Sequence, residues 1–271
     1  MAVGRPGGNA VAEQTATSAG QLREQVGGAT DRLLATAAQL TDEQVKAPSL
    51  LPGWSRGHVL THLARNADGL RNLLIWARTG VPTPQYASPQ ARDAAIAAGA
   101  DRTAAEQAAD IRDSAAAFDA EAGRLSTVHW QAVVRGMRGP GHPAVHTLWR
   151  RLSEVEIHHV DLDAGYGAGD WPADFVAQRL AGVAAEFAQR ADSPAALLRD
   201  TGSGELYPIG AAAPGAAAAA AAGGAAADGG PERAIVIAGP GELLLAWLIG
   251  RSQGAGLTAD PSGPLPAVPA W

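Results

Sequence analysis

Helical periodicity runs through the first two thirds of the sequence and stops near Ser193–Pro194, and this change constrains the fold more than any other feature. Residues 20–40 place Leu and Val at helical spacing, which predicts an amphipathic helix weakened by Gly27 and Gly28. Helical segments of this kind, separated by short breaks, indicate a bundle of four or five helices over residues 20–192.

Helix boundaries in this part are marked by residues that cap helices. Ser55 is a typical N-cap for a long helix that Gly80 would end. Thr103 to Glu106 has the pattern of a capping box, and Pro143 suits the first turn of a helix expected to continue to about Gly165. The segment "VHWQAVVRGMRGPGH" at 128–142, just before Pro143, is predicted to be a loop or an extended connector.

After Ser193 the sequence changes from a helical pattern to one typical of short strands. Two short extended runs flank "TGSG" at 201–204, a β-branched run "RAIVIAG" follows at 233–239, and a short helix comes next. The predicted fold class is therefore mainly α with a small α+β domain at 193–258. Residues 1–19 are expected to be a disordered leader, residues 211–230 a low-complexity Ala/Gly insert, and residues 259–271 a Pro-rich tail.

Composition restricts the function classes. A net charge of −6 and the lack of a Lys/Arg block argue against nucleic acid or an anionic membrane as partner, and no apolar run is long enough for a membrane span. A cytoplasmic location is the default expectation, and the oligomeric state cannot be predicted. The chain has no cysteine, so any thiol chemistry needs a thiol from outside.

Three side chains from two distant segments suggest a metal site. Glu154 and His158 are four residues apart and project from one helix face. His62 lies at the edge of the stripe of its helix that should face the bundle interior, whereas His58 is expected nearer to solvent. A His/Glu/His set satisfies a catalytic zinc ion, which keeps one position open. Zinc, nickel and cobalt accept the same ligands.

Each of these residues also has an ordinary structural interpretation. Glu154 and His158 can form a surface salt bridge, and His62 can be a satisfied core histidine. Glu156, Asp161 and Asp163 are expected on the solvated face or at the helix end, although Asp161 could also orient a ligand. Spacing alone leaves the two interpretations balanced.

Two sequence motifs resemble those of the mycothiol-dependent maleylpyruvate isomerase family. They are "LPGWSRGHVLTHLARNADGL" at 51–70 and "RLSEVEIHHVDLDAGYG" at 151–167, and the resemblance covers most of residues 20–258. It implies a DinB-like four-helix bundle followed by a compact sheet-and-helix domain. It also implies that His62, Glu154 and His158 bind a divalent metal, expected to be zinc. Arg251 falls on an arginine that is implicated in the activity of the family.

The resemblance implies an isomerase that converts maleylpyruvate to fumarylpyruvate with mycothiol as thiol cosubstrate. Arginines should hold the two carboxylates of the small-molecule substrate, with Arg251 as first candidate. Arg65 and Arg151 are weaker candidates, because an exposed salt bridge suits each of them at least as well. Two alternatives remain open. One is a mycothiol S-transferase acting on electrophiles, and the other is a non-catalytic metal-binding regulatory protein with a closed four-ligand site.

Overall fold

The computed structural model describes residues 7–210 and 235–271. The chain falls into two compact units, Met1–Tyr166 and Gly167–Trp271. The sequence placed this division later, between residues 192 and 193. The difference is one helix, Ala173–Ala188, which packs on a strand of the second unit and therefore belongs to it.

The first unit is a four-helix bundle with shorter helices between the long ones. Its longest helices are α1, α3, α5 and α7, and α1 and α3 each contact both α5 and α7, which closes the bundle. The bundle predicted from the sequence is confirmed. The elements are α1 (Gly7–Ala37), α2 (Asp42–Lys46), α3 (Arg56–Thr79), α4 (Pro89–Gly99), α5 (Ala104–Ala122), α6 (Thr127–Gln131), β1 (Val133–Val134), β2 (His142–Pro143) and α7 (His146–Asp161).

The predicted caps lie where the sequence put them. Ser55 caps α3 and Thr103 caps α5, each accepting a hydrogen bond from a backbone N–H of the first turn. Gly80 ends α3 with a φ of 73°, a left-handed conformation that glycine adopts without the steric cost a Cβ would bring.

Two boundaries differ from the expectation. The helix α1 begins at Gly7, so residues 7–19 are helical where a disordered leader was predicted. The Ala-rich composition up to Gly20 contains no proline after residue 6, and nothing there stops the helix from extending. Pro143 does not start α7, because it pairs with Val133 in the β1–β2 hairpin, and α7 begins three residues later.

The α3 helix supplies much of the bundle core. Eight of its apolar residues are completely buried, and they are Val59, Leu60, Leu63, Ala64, Ala67, Leu70, Leu73 and Leu74. At its N-terminus, Gly57 lies so close to the residue that caps α4 that a Cβ would meet the carbonyl oxygen of Ala100 at 2.1 Å. This close approach fixes the start of α3 against the rest of the bundle.

In the second unit, the described residues form a four-stranded sheet and two helices. The sheet order is β4–β3–β5–β6, with β3 and β4 antiparallel as the predicted hairpin, β3 and β5 parallel, and β5 and β6 antiparallel. The helix α8 contacts α9 and β4. The Ala/Gly insert at 211–230 lies outside the described residues. The elements are a 3₁₀ turn (Ala168–Asp170), α8 (Ala173–Ala188), β3 (Ala196–Asp200), β4 (Leu206–Ile209), β5 (Ile235–Gly239), α9 (Gly241–Leu248) and β6 (Thr258–Asp260).

Among the described residues, none of the helices has the length and apolar character that crossing a membrane requires.

Two glycine substitutions test the packing at the start of α3. Gly57→Ala should destabilise the protein by about 1–3 kcal/mol, because the new methyl group overlaps the carbonyl of Ala100. Gly27→Ala, on the exposed side of α1 with nothing within 4 Å, should instead stabilise by about 0.5–1 kcal/mol. Urea unfolding measures both, and equal effects of the two variants would contradict this description of the packing.

Candidate metal centre

The helices α3 and α7 bring together the three side chains selected from the sequence. His62 projects from the middle of α3 and is 4% exposed, and Glu154 and His158 project from one face of α7. One ligand atom from each of the three lies within 4.8 Å of the other two. In the part of the chain that the structure describes, no other His, Asp or Glu joins this group.

The distances between these atoms suit one small divalent ion. Glu154 Oε2 lies 3.0 Å from His62 Nε2 and 3.4 Å from His158 Nε2. A tetrahedral ion with bonds of about 2.0–2.1 Å places its ligands roughly 3.3 Å apart. The His/Glu/His donor set is one that zinc accepts, and the side chains of Glu154 and His158 remain 30% and 18% exposed. An ion held here would therefore have a side open to a small ligand.

The imidazole of His62 is held between an aromatic ring and a cation. The ring of Trp54 meets it edge-on with centroids 5.7 Å apart, and Arg92 Nη2 lies 3.3 Å from Nδ1. A guanidinium can only donate, so Nδ1 is the acceptor in this contact. Binding an ion through Nε2 moves the ring proton to Nδ1, and Arg92 must then turn to another acceptor.

The pKa shifts favour the metal-binding protonation states of Glu154 and His62, whereas the shift of His158 favours its protonated ring, from which a bound ion would have to displace a proton. Burial disfavours the charged form of Glu154, but hydrogen bonds from His158 and His62 outweigh it and hold the pKa of this carboxyl well below its usual value. Burial lowers the pKa of His62, which keeps its imidazole neutral. Burial also acts to lower the pKa of His158, but hydrogen bonds to Asp161 and Glu154 outweigh it and raise that pKa.

Asp161 is buried beside His158 and not on the solvated face, and it is placed to orient this candidate ligand. Its Oδ2 lies 2.8 Å from His158 Nδ1, one turn along α7, and Asp161 is fully buried. A carboxylate on Nδ1 places the proton there and leaves the lone pair of Nε2 for an ion, which is the usual outer support of a metal-binding histidine.

Glu156 was predicted on the solvated face, and this is wrong. It is 1% exposed, accepts from Arg32 at 2.6 Å and from the hydroxyl of Tyr166 at 2.6 Å. His159 stacks on Tyr166 with centroids 3.8 Å apart and contacts Thr36. These residues lie on the face of α7 that packs against α1, away from Glu154 and His158.

The three arginines suggested for the substrate have different surroundings. Arg65 pairs with Asp110 and with Asp68. Arg151 was expected to be exposed but is fully buried, where it donates to Leu63 O and Asn66 Oδ1, and burial lowers its pKa to about 10. Arg251 lies in the second unit, three residues after α9, and donates to Ile249 O. Its assignment as a functional residue stays a prediction.

Sequence reasoning missed two arginines near the centre. Arg92 comes from α4, and no spacing in the sequence links it to His62. Arg150 could have been found from the sequence, because Arg150, Glu154 and His158 follow one another at intervals of four residues on α7.

Both units match known domain families. The sequence matches "Mycothiol maleylpyruvate isomerase N-terminal domain" over residues 26–163 and "MDMPI C-terminal domain" over residues 170–270. The structure is similar to a crystal structure of the mycothiol-dependent maleylpyruvate isomerase, with 27% identity, 93% of this chain and 97% of that chain covered, and a TM-score of 0.81. A histidine-to-alanine mutant of that isomerase matches at 26% identity, 93% and 97% coverage and a TM-score of 0.80. No curated protein matches the sequence.

Two histidines one turn apart on α3 test the ligand assignment. His62→Ala should lower zinc affinity by more than about 100-fold, because losing even an outer partner of a ligand costs roughly 10–100-fold. His58→Ala is the matched control and should keep one zinc per chain, because His58 caps α3 through Ser55 and lies outside the ligand group. Equilibrium competition with a chromogenic chelator measures both. Equal affinity in the two variants would contradict the assignment.

Proposed function

Because the chain belongs to the mycothiol maleylpyruvate isomerase family, we propose that it converts maleylpyruvate to fumarylpyruvate with mycothiol as the thiol cosubstrate. A divalent ion, expected to be zinc, is held by His62, Glu154 and His158. The observation that carries this proposal is the convergence of these three ligand atoms within 4.8 Å, in a domain of this family.

The reaction requires a nucleophile that the chain itself does not contain. A cis double bond becomes trans only if its bond order is lowered for a moment. A thiolate that adds to the conjugated alkene forms a C–S bond and moves the π electrons onto the carbonyl oxygen, which leaves a single bond free to rotate. When the electrons return, the C–S bond breaks and the thiolate leaves unchanged. Because cysteine is absent from all 271 residues, that thiolate comes from a cosubstrate.

The residues of the centre prepare it for a thiol. A divalent ion bound here would act as a Lewis acid that lowers the pKa of a thiol towards neutrality. One carboxylate and two neutral imidazoles offset a single charge of that ion, so the loaded centre stays positive and favours an anionic sulfur. Asp161 holds His158 in the tautomer that this requires, and Trp54 covers one side of His62.

The non-catalytic alternative required a fourth protein ligand. The ligand group among the described residues has three members, and Asp161 approaches His158 from the Nδ1 side, opposite the proposed ion. Three ligands with an exposed side are typical of catalytic zinc sites, whereas structural sites are closed by four. This favours a reaction over a structural role.

A spectrophotometric assay tests the proposed reaction. The zinc-loaded protein should convert maleylpyruvate only when mycothiol is present, and the thiol concentration should stay constant because each turnover returns the thiol. The variant His62→Ala should fall to the activity of the chelator-treated wild type. His58→Ala should keep most of its activity.

Two outcomes would overturn the proposal. Stoichiometric loss of thiol, with a conjugate as product, would establish an S-transferase in place of an isomerase. Lack of any turnover by a protein with one bound zinc per chain would exclude maleylpyruvate as its substrate.

A further inference from the structure

The ligand-bearing face of α7 continues beyond the metal ligands to Arg150. Arg150 precedes Glu154 by four residues, so the two side chains are neighbours on one face and their positions differ by about 6 Å along the helix axis. Arg150 is half-exposed, in contrast to the fully buried Arg151 beside it. A cation is thus placed one helical turn from the proposed ion.

Arg150 contacts the side chains of His142 and Gln85. Its Nη1 lies 3.4 Å from His142 Nε2, and its Nη2 donates to Gln85 Oε1 at 3.5 Å. Over residues 18–210 and 235–271, no carboxylate lies within ion-pair distance of it, whereas Arg65 and Arg92 both have such partners. Both contacts are long, so the N–H groups of the guanidinium can still donate to a stronger acceptor such as a carboxylate.

The surroundings hold the guanidinium in place. Gln85 is 6% exposed, and its Oε1 also accepts from the backbone N–H of Met137, which ties the β1–β2 hairpin to the loop before α4. At Gly136 in the same hairpin, a Cβ would lie 2.3 Å from Arg150 Nη1 and 3.1 Å from Gln85 Oε1. The hairpin therefore leaves room for this arginine only because residue 136 has no side chain.

A phenol connects this arginine to the metal centre. Tyr86 follows Gln85, and burial raises its pKa, with the nearby Glu154 carboxylate adding to the effect. Gln85 and Arg92 lie near the phenol and act on its pKa in the opposite direction. Polar side chains thus extend from Arg150 through Gln85 and Tyr86 to Arg92, along the side of Glu154.

We propose that Arg150 binds a carboxylate of the substrate one helical turn from the metal centre, and that it thereby selects dicarboxylates. The proposal rests on the proposed function for the reaction but concerns binding alone. A bidentate guanidinium–carboxylate pair is the geometry that arginine provides and lysine does not. One carboxylate of a short dicarboxylate can pair with Arg150 while the rest of the molecule reaches the metal centre.

Binding of glutarate, a flexible dicarboxylate, tests this assignment by calorimetry on the zinc-loaded full chain without thiol. The wild type should bind glutarate about 10- to 100-fold more tightly than monomethyl glutarate, because one charge-assisted contact is lost in the ester. In Arg150→Gln the two affinities should become equal. Arg112→Gln, which removes an exposed arginine of α5, is the matched control and should keep the wild-type preference.

A second variant separates the loss of the arginine contact from misfolding of the protein. Gly136→Ala leaves every charge in place but displaces the guanidinium of Arg150, so it should also lose the preference for glutarate while retaining zinc. A preference that survives in both Arg150→Gln and Gly136→Ala would overturn the proposal, as would a wild type that does not distinguish glutarate from its ester. A loss of maleylpyruvate turnover alone would contradict the proposed function but not this assignment of Arg150, because glutarate binding requires neither thiol nor reaction.

Discussion

The packing of α3 against α7 is the constraint on which the chemistry of this chain depends. Each helix alone offers at most two ligands, and two ligands do not define a catalytic site for zinc. Buried leucine and valine side chains fix the distance between the helices, and Gly57 allows the start of α3 to approach the α4 region closely. The core packing thereby determines that Glu154 Oε2 lies 3.0 Å from His62 Nε2.

Several polar and charged side chains surround the three candidate ligands. Glu154 Oε2 lies within ion-pair distance of both histidines, and Asp161 contacts Nδ1 on the other side of the His158 ring. Arg92 contacts His62, and Arg150 precedes Glu154 by four residues on α7, so two positive side chains border the candidate metal centre. Such surroundings attract anions, and they suit both a thiolate and a carboxylated substrate.

Much of the bundle was readable in the sequence because helix caps and apolar spacing are local signals. The capping boxes at Ser55 and Thr103, the end of α3 at Gly80 and the hairpin around 201–204 are confirmed for this reason. The three metal-ligating candidates could be chosen because helical spacing places Glu154 and His158 on one face. The structure brings His62 to them, which spacing within one helix could not establish.

What the sequence could not provide depended on contacts between distant segments. Glu156 looked like a surface residue, because its partners Arg32 and Tyr166 are identified only when α1 packs against α7. Arg151 looked exposed for the same reason. The division between the units was placed after α8, since helical periodicity does not reveal whether a helix packs on a bundle or on a sheet. Arg92 reaches His62 from another helix and leaves no local pattern.

X-ray absorption spectroscopy of the zinc-loaded protein tests the shared ion most directly. The account predicts two imidazole nitrogens and one carboxylate oxygen at about 2.0–2.1 Å, together with a light atom that a sulfur at about 2.3 Å replaces when mycothiol is added. A first shell with fewer than two imidazoles, or one closed by four protein ligands and unchanged by the thiol, would contradict it.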